Sequence, residues 1–563
     1  MARTIGIGIQ DFSKIVESDC FYIDKTLFIK EWWENADEVT LITRPRRFGK
    51  TLTMSMVEQF FSVKYAKCRN PFKELAIWSE EKYQKLYGTY PVISLSFANV
   101  KEKNFLQTKQ RICQLIVELY NQNCFLLDSG LLTESEKQYF LSVNMDMPEV
   151  TATLAIHRMS DFLSRYYKKK VLILLDEYDT PMQEAYVNGF WDELASFTRS
   201  LFNATFKTNP WLERAIMTGI TRISKESIFS DLNHLEVVTT TSDKYADCFG
   251  FTEKEVFAAM DEYGYTEKEA VKKWYDGFTF GNIEDMYNPW SIINYLDKRK
   301  FTSYWANTSS NSLVGILIRE GSRNVKSSFE ALLSGEHLRT PIDEQIVYNQ
   351  LDGNEEAIWS LLLASGYLKV VSYEKYGPEN ISRPKYELML TNLEVKIMFQ
   401  NMIHMWFAEV KADYNDFVKA LLLGDLDAMN EYMNRITIEI FSSFDTGKKP
   451  SKPVEPERFY HGFVLGLIVE LQGKYVITSN RESGFGRYDI MLEPVSMNDD
   501  AIIIEFKVFN PRKEKDMKAT LQNALLQIEQ KQYETVLRTK GISCKQIRKY
   551  GFVFEGKNVL IGE

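Results

Sequence analysis

Apolar positions along the chain come in short blocks separated by polar turns. Val39-Thr40-Leu41-Ile42-Thr43 is a β-like run, and Leu52-Thr53-Met54-Ser55-Met56-Val57 is a helix-like one. Tyr90-Pro91-Val92-Ile93-Ser94-Leu95-Ser96-Phe97 has the pattern of a buried strand bounded by turn residues. Helical stretches fill roughly residues 101–167. Val171-Leu172-Ile173-Leu174-Leu175, five consecutive aliphatics, predicts a central parallel strand covered on both faces. Ala215-Ile216-Met217-Thr218-Gly219-Ile220 predicts one more. Strands separated by helices predict an α/β fold on a parallel sheet.

The pattern then changes. Residues 249–305 are dense in aromatics and read as a small helical lid, with Thr252 and Glu255 placed as a capping box. Ala357 to Leu368 reads as a helix stopped by Gly366. Two alternating strands follow, Lys369 to Tyr373 and Lys385 to Leu390, joined by a polar loop with Gly377 and Pro378. This is a winged-helix outline, and its few cations favour a packing role over DNA binding. From Glu457 the order is an apolar helix to Leu467, strands Lys474 to Thr478, Arg487 to Leu492 and Ala501 to Val508, a long helix Lys515 to Arg538, and a hairpin Gly551 to Ile561.

Length and charge change this picture only in part. At roughly 150 residues per domain, 563 residues predict three or four domains. The hydrophobic fraction of 45% excludes a disordered chain. A net charge of -9 excludes a molecule that is basic overall, so any nucleic-acid contact is local. From Ala501 onward there are 12 Lys/Arg against 7 Asp/Glu. Six scattered cysteines without a C-x-x-C pair predict reduced thiols and no zinc site. No secretory signal or membrane-length apolar run is read, so the expected location is cytoplasmic, with no membrane partner.

Between the first strand and its helix lies Arg44-Pro45-Arg46-Arg47-Phe48-Gly49-Lys50-Thr51. Strand, turn, Gly-Lys-Thr and helix are what a phosphate-binding loop requires: backbone N–H groups and the helix N-terminus face the phosphates. Lys50 would reach the β- and γ-phosphates, and the Thr51 hydroxyl would ligate Mg²⁺. The usual pattern has a glycine five residues before Gly49; here that residue is Arg44. The aliphatic strand closes on Asp176-Glu177-Tyr178-Asp179, at the sheet end where such folds bind ligands. Asp176 would hold Mg²⁺ and Glu177 would polarise the attacking water. Together the two motifs predict ATP (or GTP) binding. Thr218 and Arg222, at the next strand end, are candidate sensors of the γ-phosphate; Arg222 is either a charge-stabilising arginine or a salt-bridge residue. The segment before the loop, with Phe21-Tyr22-Ile23-Asp24-Lys25-Thr26 and a helix-like run from Leu27, either packs beside the base or covers the sheet edge.

The C-terminal chemistry lies in spacing. Residues i and i+2 of a strand face one side, so Glu505 and Lys507 point together. If the preceding strand is antiparallel and in register, Asp489 lies alongside. Two carboxylates hold a hard cation such as Mg²⁺, which activates water and bears charge on a phosphate oxygen. Lys507 would orient or deprotonate that water, and Glu457 would add an outer carboxylate. Gln527 and Lys531, one turn apart on the following helix, reach either this site or the DNA backbone, or are plain helix surface.

At these residues the chain resembles bacterial and archaeal proteins with an N-terminal AAA-ATPase-like domain and a C-terminal PD-(D/E)XK nuclease-like domain. The resemblance rests on Tyr22 to Thr26, Arg44 to Thr51 (Arg46, Arg47 and Phe48 included), Leu175 to Asp179, Thr218 to Arg222, Trp274-Tyr275-Asp276-Gly277-Phe278, Tyr287-Asn288-Pro289-Trp290, Tyr460-His461-Gly462, Gly486 to Asp489 and Ile504 to Lys507. Arg44 looks like a family feature. The resemblance implies an α/β P-loop core over 1–248, a lid over 249–340, a winged-helix-like segment over 341–400, and a restriction-endonuclease-like domain with its helical lead-in over 401–563. It implies ATP and Mg²⁺ as cofactors, DNA as partner with a homo-oligomer as one expected assembly, and Asp489, Glu505 and Lys507 as the nuclease centre. Related nucleases often carry Gln-x-x-x-Tyr on the last helix, whereas the residue four before Tyr533 is Glu529. The expected activity is ATP-dependent or ATP-gated DNA hydrolysis, in defence against mobile DNA or DNA processing. The alternative is a nucleotide-switch ATPase whose C-terminal domain binds DNA or protein without cleaving. A protein-remodelling ATPase is disfavoured, because no pore-loop motif follows the phosphate-loop helix.

Overall fold

In the computed structural model, β1 (Val39–Thr43), β2 (Val92–Ser96), β3 (Val171–Asp176), β4 (Leu212–Gly219) and β5 (Leu235–Val238) form one sheet in the order β2-β3-β4-β1-β5. Every pair in it is parallel. The described residues are 2–207, 209–222, 228–229, 232–306, 312–343, 351, 354–374, 385–408, 414–441, 464–468, 471, 473–479, 482–483, 486–487, 489–496, 499–556 and 558–563. β1 and β3 are buried at every position, which is why their sequences lack alternation. Trp32, Phe60, Phe61, Leu172 and Ile216 belong to one core beside the sheet. The order places β4 between β1 and β3, so three strand ends meet where the two sequence motifs lie.

The chain divides into two compact units, Met1–Leu317 with Gly335–Lys396, and Ile318–Ser334 with Ile397–Glu563. After the sheet, the first unit continues into the lid. Its helices α2 (Glu253–Glu262), α3 (Lys268–Tyr275) and α4 (Pro289–Lys298) follow α1 (Lys50–Phe61) of the phosphate loop in chain order. The Thr252–Glu255 capping box is formed. The lid is not helical throughout: β6 (Phe251–Thr252), β7 (Phe278–Phe280) and β8 (Ile283–Tyr287) make a small antiparallel sheet. Phe278 and Phe280 are buried there, and both rings meet Phe48 of the phosphate loop. Aromatic residues at alternate positions favour strand over helix, a local signal that aromatic content alone does not carry.

The winged-helix outline is present as α5 (Glu355–Ala364) and the antiparallel pair β10 (Leu368–Tyr373) and β11 (Lys385–Leu390), with β9 (Leu338–Pro341) added beside β11. Gly366 takes a φ of 83° just past the helix. The loop with Gly377 and Pro378 lies outside the described residues. Glu394 is buried, and it accepts hydrogen bonds from Ser291 Oγ and from the Trp305 and Ala306 N–H groups.

In the second unit, β12 (Tyr475–Ser479), β15 (Ile490–Pro494), β16 (Ala501–Val508), β17 (Ile547–Glu555) and β18 (Asn558–Gly562) form a mixed sheet in that order, beside the short pair β13 (Glu482–Ser483) and β14 (Gly486–Arg487). Only β16–β17 is parallel. Ile502 and Ile504 face one core and Ile503 the other, so both sheet faces are covered. The expected long helix is two: α6 (Met517–Gln530) and a short helix Thr535–Thr539. The chain turns between them at Gln532, whose φ is 53°.

Candidate functional site

The phosphate-loop sequence folds into a tight turn. Arg47 and Gly49 both take left-handed φ, 65° and 80°. Alternating left-handed positions turn successive N–H groups toward one point, a concavity that suits an anion. A Cβ on Gly49 would meet nothing, so the glycine is required by its backbone conformation. α1 starts at Lys50 with Gly49 as its N-cap, adding the positive end of the helix. Lys50 Nζ folds back on the loop, donating to Arg44 O at 2.9 Å and Pro45 O at 2.8 Å. Burial lowers its pKa, against the pull of Glu177, Asp176 and Asp179.

Asp176 is the hub. Thr51 Oγ1 donates to its Oδ2 at 2.7 Å, and Thr218 Oγ1 donates to its Oδ1. Burial pushes the Asp176 carboxyl above the usual carboxylate range, against the two hydroxyl bonds. Glu177 stands next to it at φ 51°, with its N–H donating to Thr218 Oγ1 and the Thr180 hydroxyl donating to its Oε2. Three of the residues picked out by sequence thus share direct bonds, contributed by α1, β3 and β4.

Tyr178 and Asp179, which the sequence leaves without a role, hold the end of β4. Asp179 Oδ2 accepts from the Ile220 N–H at 3.0 Å, the Thr221 N–H at 2.9 Å and the Thr221 hydroxyl at 2.9 Å. Tyr178 OH donates to Thr221 O at 2.7 Å. A Cβ on Gly219 would lie 2.6 Å from the Tyr178 ring and 2.8 Å from Asp179 Oδ1, so glycine is required for this close approach. The Tyr-Asp pair after β3 therefore clamps the exit of β4.

A cleft of about 510 Å³ opens beside the loop, within the usual range for a small-molecule site. Its lining includes the polar Arg46 to Thr51 and Glu177, and the apolar Ile9, Tyr22, Ile23, Phe251, Trp290 and Ile293. In the segment before the loop, Tyr22 and Ile23 line the cleft, while Phe28, Ile29 and Trp32 are buried in the core beside the sheet. The lid residues Asn288 and Trp290 grip the loop. Asn288 Nδ2 donates to Arg46 O at 3.2 Å, and the Arg47 guanidinium lies 4.5 Å from the Trp290 ring centroid. Arg46 itself donates to Gln183.

Arg222 is absent from the lining of this cleft. It lines a separate small cavity with Thr43, Thr239, Thr240, Thr241 and Asp343. A strand end fixes where Thr218 points, but four residues later the chain has turned away. Arg44, where a glycine was expected, is fully buried. Its guanidinium donates to Thr43 O, Thr239 O and Tyr245 O, and it lies 4.6 Å from the Phe280 ring centroid.

In the second unit, β15 and β16 are antiparallel with Ile490 opposite Ile504, so Asp489 falls beside the end of β16. Asp489 Oδ2 accepts the Phe506 N–H at 2.8 Å, between Glu505 and Lys507. Glu505 is 2% exposed. Its Oε1 accepts from Lys507 Nζ at 3.3 Å and from Gln527 Nε2. Gln527 Nε2 also lies 3.1 Å from Tyr533 OH. The turn at Gln532 carries Tyr533 back, so a glutamine and a tyrosine meet at a spacing of six where a continuous helix would use four. Burial raises the Tyr533 pKa, and Glu505 and Asp489 add to it. Lys531 is exposed at the end of α6, without the contacts that tie Gln527 to Glu505. Glu457 lies outside the described residues.

Both donor sets fit a hard cation. Thr51 and Asp176 offer only oxygens, as do Asp489 and Glu505. The loop's anion-facing turn fits a polyphosphate. Among the described residues no helix is long and apolar enough to cross a membrane. Comparison with known proteins agrees with the geometry. Residues 6–229 match the AAA-ATPase-like family, described as predicted AAA-ATPase. Residues 455–563 match the PD-(D/E)XK nuclease superfamily. Over 556 residues the chain is 24% identical to an "uncharacterized protein in vnfD 5'region" of Azotobacter chroococcum mcd 1, across 96% of this chain and 94% of that protein. The chain joins an AAA-ATPase-like domain to a C-terminal domain of the PD-(D/E)XK nuclease superfamily.

Proposed function

We propose that this protein is an ATP-gated, Mg²⁺-dependent nuclease acting on DNA. The observation that carries the reading is the convergence of Asp489, Glu505, Lys507 and Gln527 in a chain that also holds the Thr51–Asp176–Thr218 hub. Lys50, Thr51 and Asp176 would hold ATP with its cation, and Glu177 would polarise the water that attacks the γ-phosphate. Asp489 and Glu505 would hold the nuclease cation, which supplies an activated water and charge stabilisation at a phosphate oxygen. Lys507 Nζ orients or accepts a proton from that water. Exposed Arg512, Lys513, Lys515 and Lys518, on the segment after β16, support DNA as the partner by supplying phosphate contacts.

The test is cleavage of linear, circular and single-stranded DNA with Mg²⁺, with and without ATP, in wild type and Lys50→Ala. ATP is expected to change the wild-type rate, and Lys50→Ala to lose both ATP hydrolysis and that response. Identical cleavage at every ATP level in both proteins would refute the gating.

The clamp at β4 makes a second expectation. Asp179→Ala strips the partner from three donors at the end of β4 and from the Gln183 amide, and frees the strand end that bears Thr218. ATP turnover should fall about tenfold to 100-fold with KM little changed, since positioning rather than binding is lost. Steady-state ATPase kinetics decide it: an unchanged kcat would mean the clamp has no bearing on Thr218.

A further inference from the structure

The lid holds a group of side chains that neither site uses. Glu253 opens α2, Asp276 follows α3 as its C-cap, and Asp285 lies in β8. One carboxylate oxygen from each lies within 4.8 Å of the other two. Oxygens bound to a Ca²⁺-sized ion at about 2.4 Å each are at most about 4.8 Å apart, so the spacing is that of ligands around a shared centre. A second observation points the same way. Asp276 is 7% exposed, its Oδ1 is buried with no N–H or hydroxyl donor on it, and the carboxyl's hydrogen bonds are to the Gly277 N–H and to another acid, Asp285. A buried carboxylate oxygen without a partner is costly, and a protein keeps one where something else completes it.

Lys272 reaches only the other two acids. Its Nζ lies 2.5 Å from Glu253 Oε2 and 3.1 Å from Asp285 Oδ2. With a side chain 37% exposed, it is able to swing outward. Tyr287 OH donates to Glu253 Oε2 at 3.4 Å, fixing that carboxylate from the buried side. We propose that Glu253, Asp276 and Asp285 form a binding site for a hard divalent cation, Ca²⁺ or Mg²⁺, with Lys272 displaced outward when the ion binds. The donors are all oxygen, which disfavours the softer transition metals. Burial, and then the Asp285 carboxylate, push the Asp276 carboxyl up to about 7, a crowding that a shared cation relieves.

The site ties α2, α3 and β8 together, and its ligands adjoin the residues that hold the phosphate loop. Phe278, two residues after Asp276, packs edge-on against Phe48 with ring centroids 4.7 Å apart. Tyr287 leads into Asn288, which bonds Arg46 O. The ion would stiffen the wall that the lid presents to the cleft.

Tb³⁺ luminescence of the full chain, excited through tyrosine and tryptophan, tests this, with Ca²⁺ as competitor. Wild type should show a Ca²⁺-displaceable emission component. Its apparent Tb³⁺ affinity should weaken about tenfold or more in Asp276→Asn and in Asp285→Asn. Asp285→Asn is half-buried and serves if Asp276→Asn fails to fold. The component should persist in Asp489→Asn and Thr51→Ala, which alter the other two candidate cation positions. Emission unchanged in the Asp276 and Asp285 variants, or abolished by either control, overturns the proposal.

Discussion

Lys507→Ala is expected to lower DNA cleavage about 10³-fold while leaving ATP hydrolysis at the wild-type rate. The size follows from where the lysine stands. Glu505 is 2% exposed, and Lys507 Nζ, 3.3 Å from its Oε1, is the cation beside it. Lys507 is itself partly exposed, so its charge borders both the carboxylate pair and solvent, where a scissile phosphate would arrive. Alanine removes a group able to orient water and to offset phosphate charge, and leaves Asp489 on the Phe506 N–H and Gln527 on Glu505. Loss of chemistry without loss of fold is therefore the expected signature. Cleavage assays, ATPase rates and melting curves on one preparation distinguish the cases. A variant that cuts as fast as wild type would remove Lys507 from the chemistry. A wild type that hydrolyses ATP but cuts no DNA under any condition would favour the nucleotide-switch reading instead.

The sequence exposed the sheet and the hub because short-range rules govern them. An all-aliphatic strand closing on Asp176 and a strand–turn–helix at Gly49 are local patterns, and the parallel sheet brings their ends together without further instruction. Glu505, Lys507 and Asp489 were legible for the same reason: alternation along a strand and one antiparallel register place them. What stayed hidden depends on contacts far apart in sequence. The role of Asp179 appears only when β4 lies beside β3. The meeting of Gln527 and Tyr533 depends on a break at Gln532 that helix periodicity does not reveal. The β7–β8 pair in the lid was masked by an aromatic content that suits buried helices and strands alike.

Arg44→Gly, which restores the residue usual in phosphate loops, is expected to destabilise the N-terminal unit by about 4 kcal/mol. The general phosphate-loop pattern alone points the other way, since it has glycine at that position. The structure reverses the expectation because Arg44 does its work inside the protein. Its Nη1 donates to Thr43 O at 2.9 Å and Thr239 O at 2.7 Å, and its Nη2 to Tyr245 O at 3.3 Å. Thr43 ends β1, while Thr239 and Tyr245 lie beyond β5, so the planar fork ties the sheet to the segment that enters the lid. The guanidinium also lies 4.6 Å from the Phe280 ring centroid, where delocalised charge meets an aromatic face. Burial lowers its pKa only to about 10, so it stays charged at neutral pH. Glycine leaves a cavity and takes one donor from each of three carbonyls, of which Thr239 O and Tyr245 O keep only a backbone N–H at 3.2 and 3.3 Å, and it loosens the chain just ahead of Pro45. The melting transition of this unit should drop by about 5 °C. Arg44→Lys should recover only part of the loss, since a single ammonium neither reproduces the fork nor stacks flat on Phe280. A glycine variant that melts with wild type would mean the buried guanidinium contributes nothing to stability, and the departure from the usual loop would then require an explanation in phosphate binding itself.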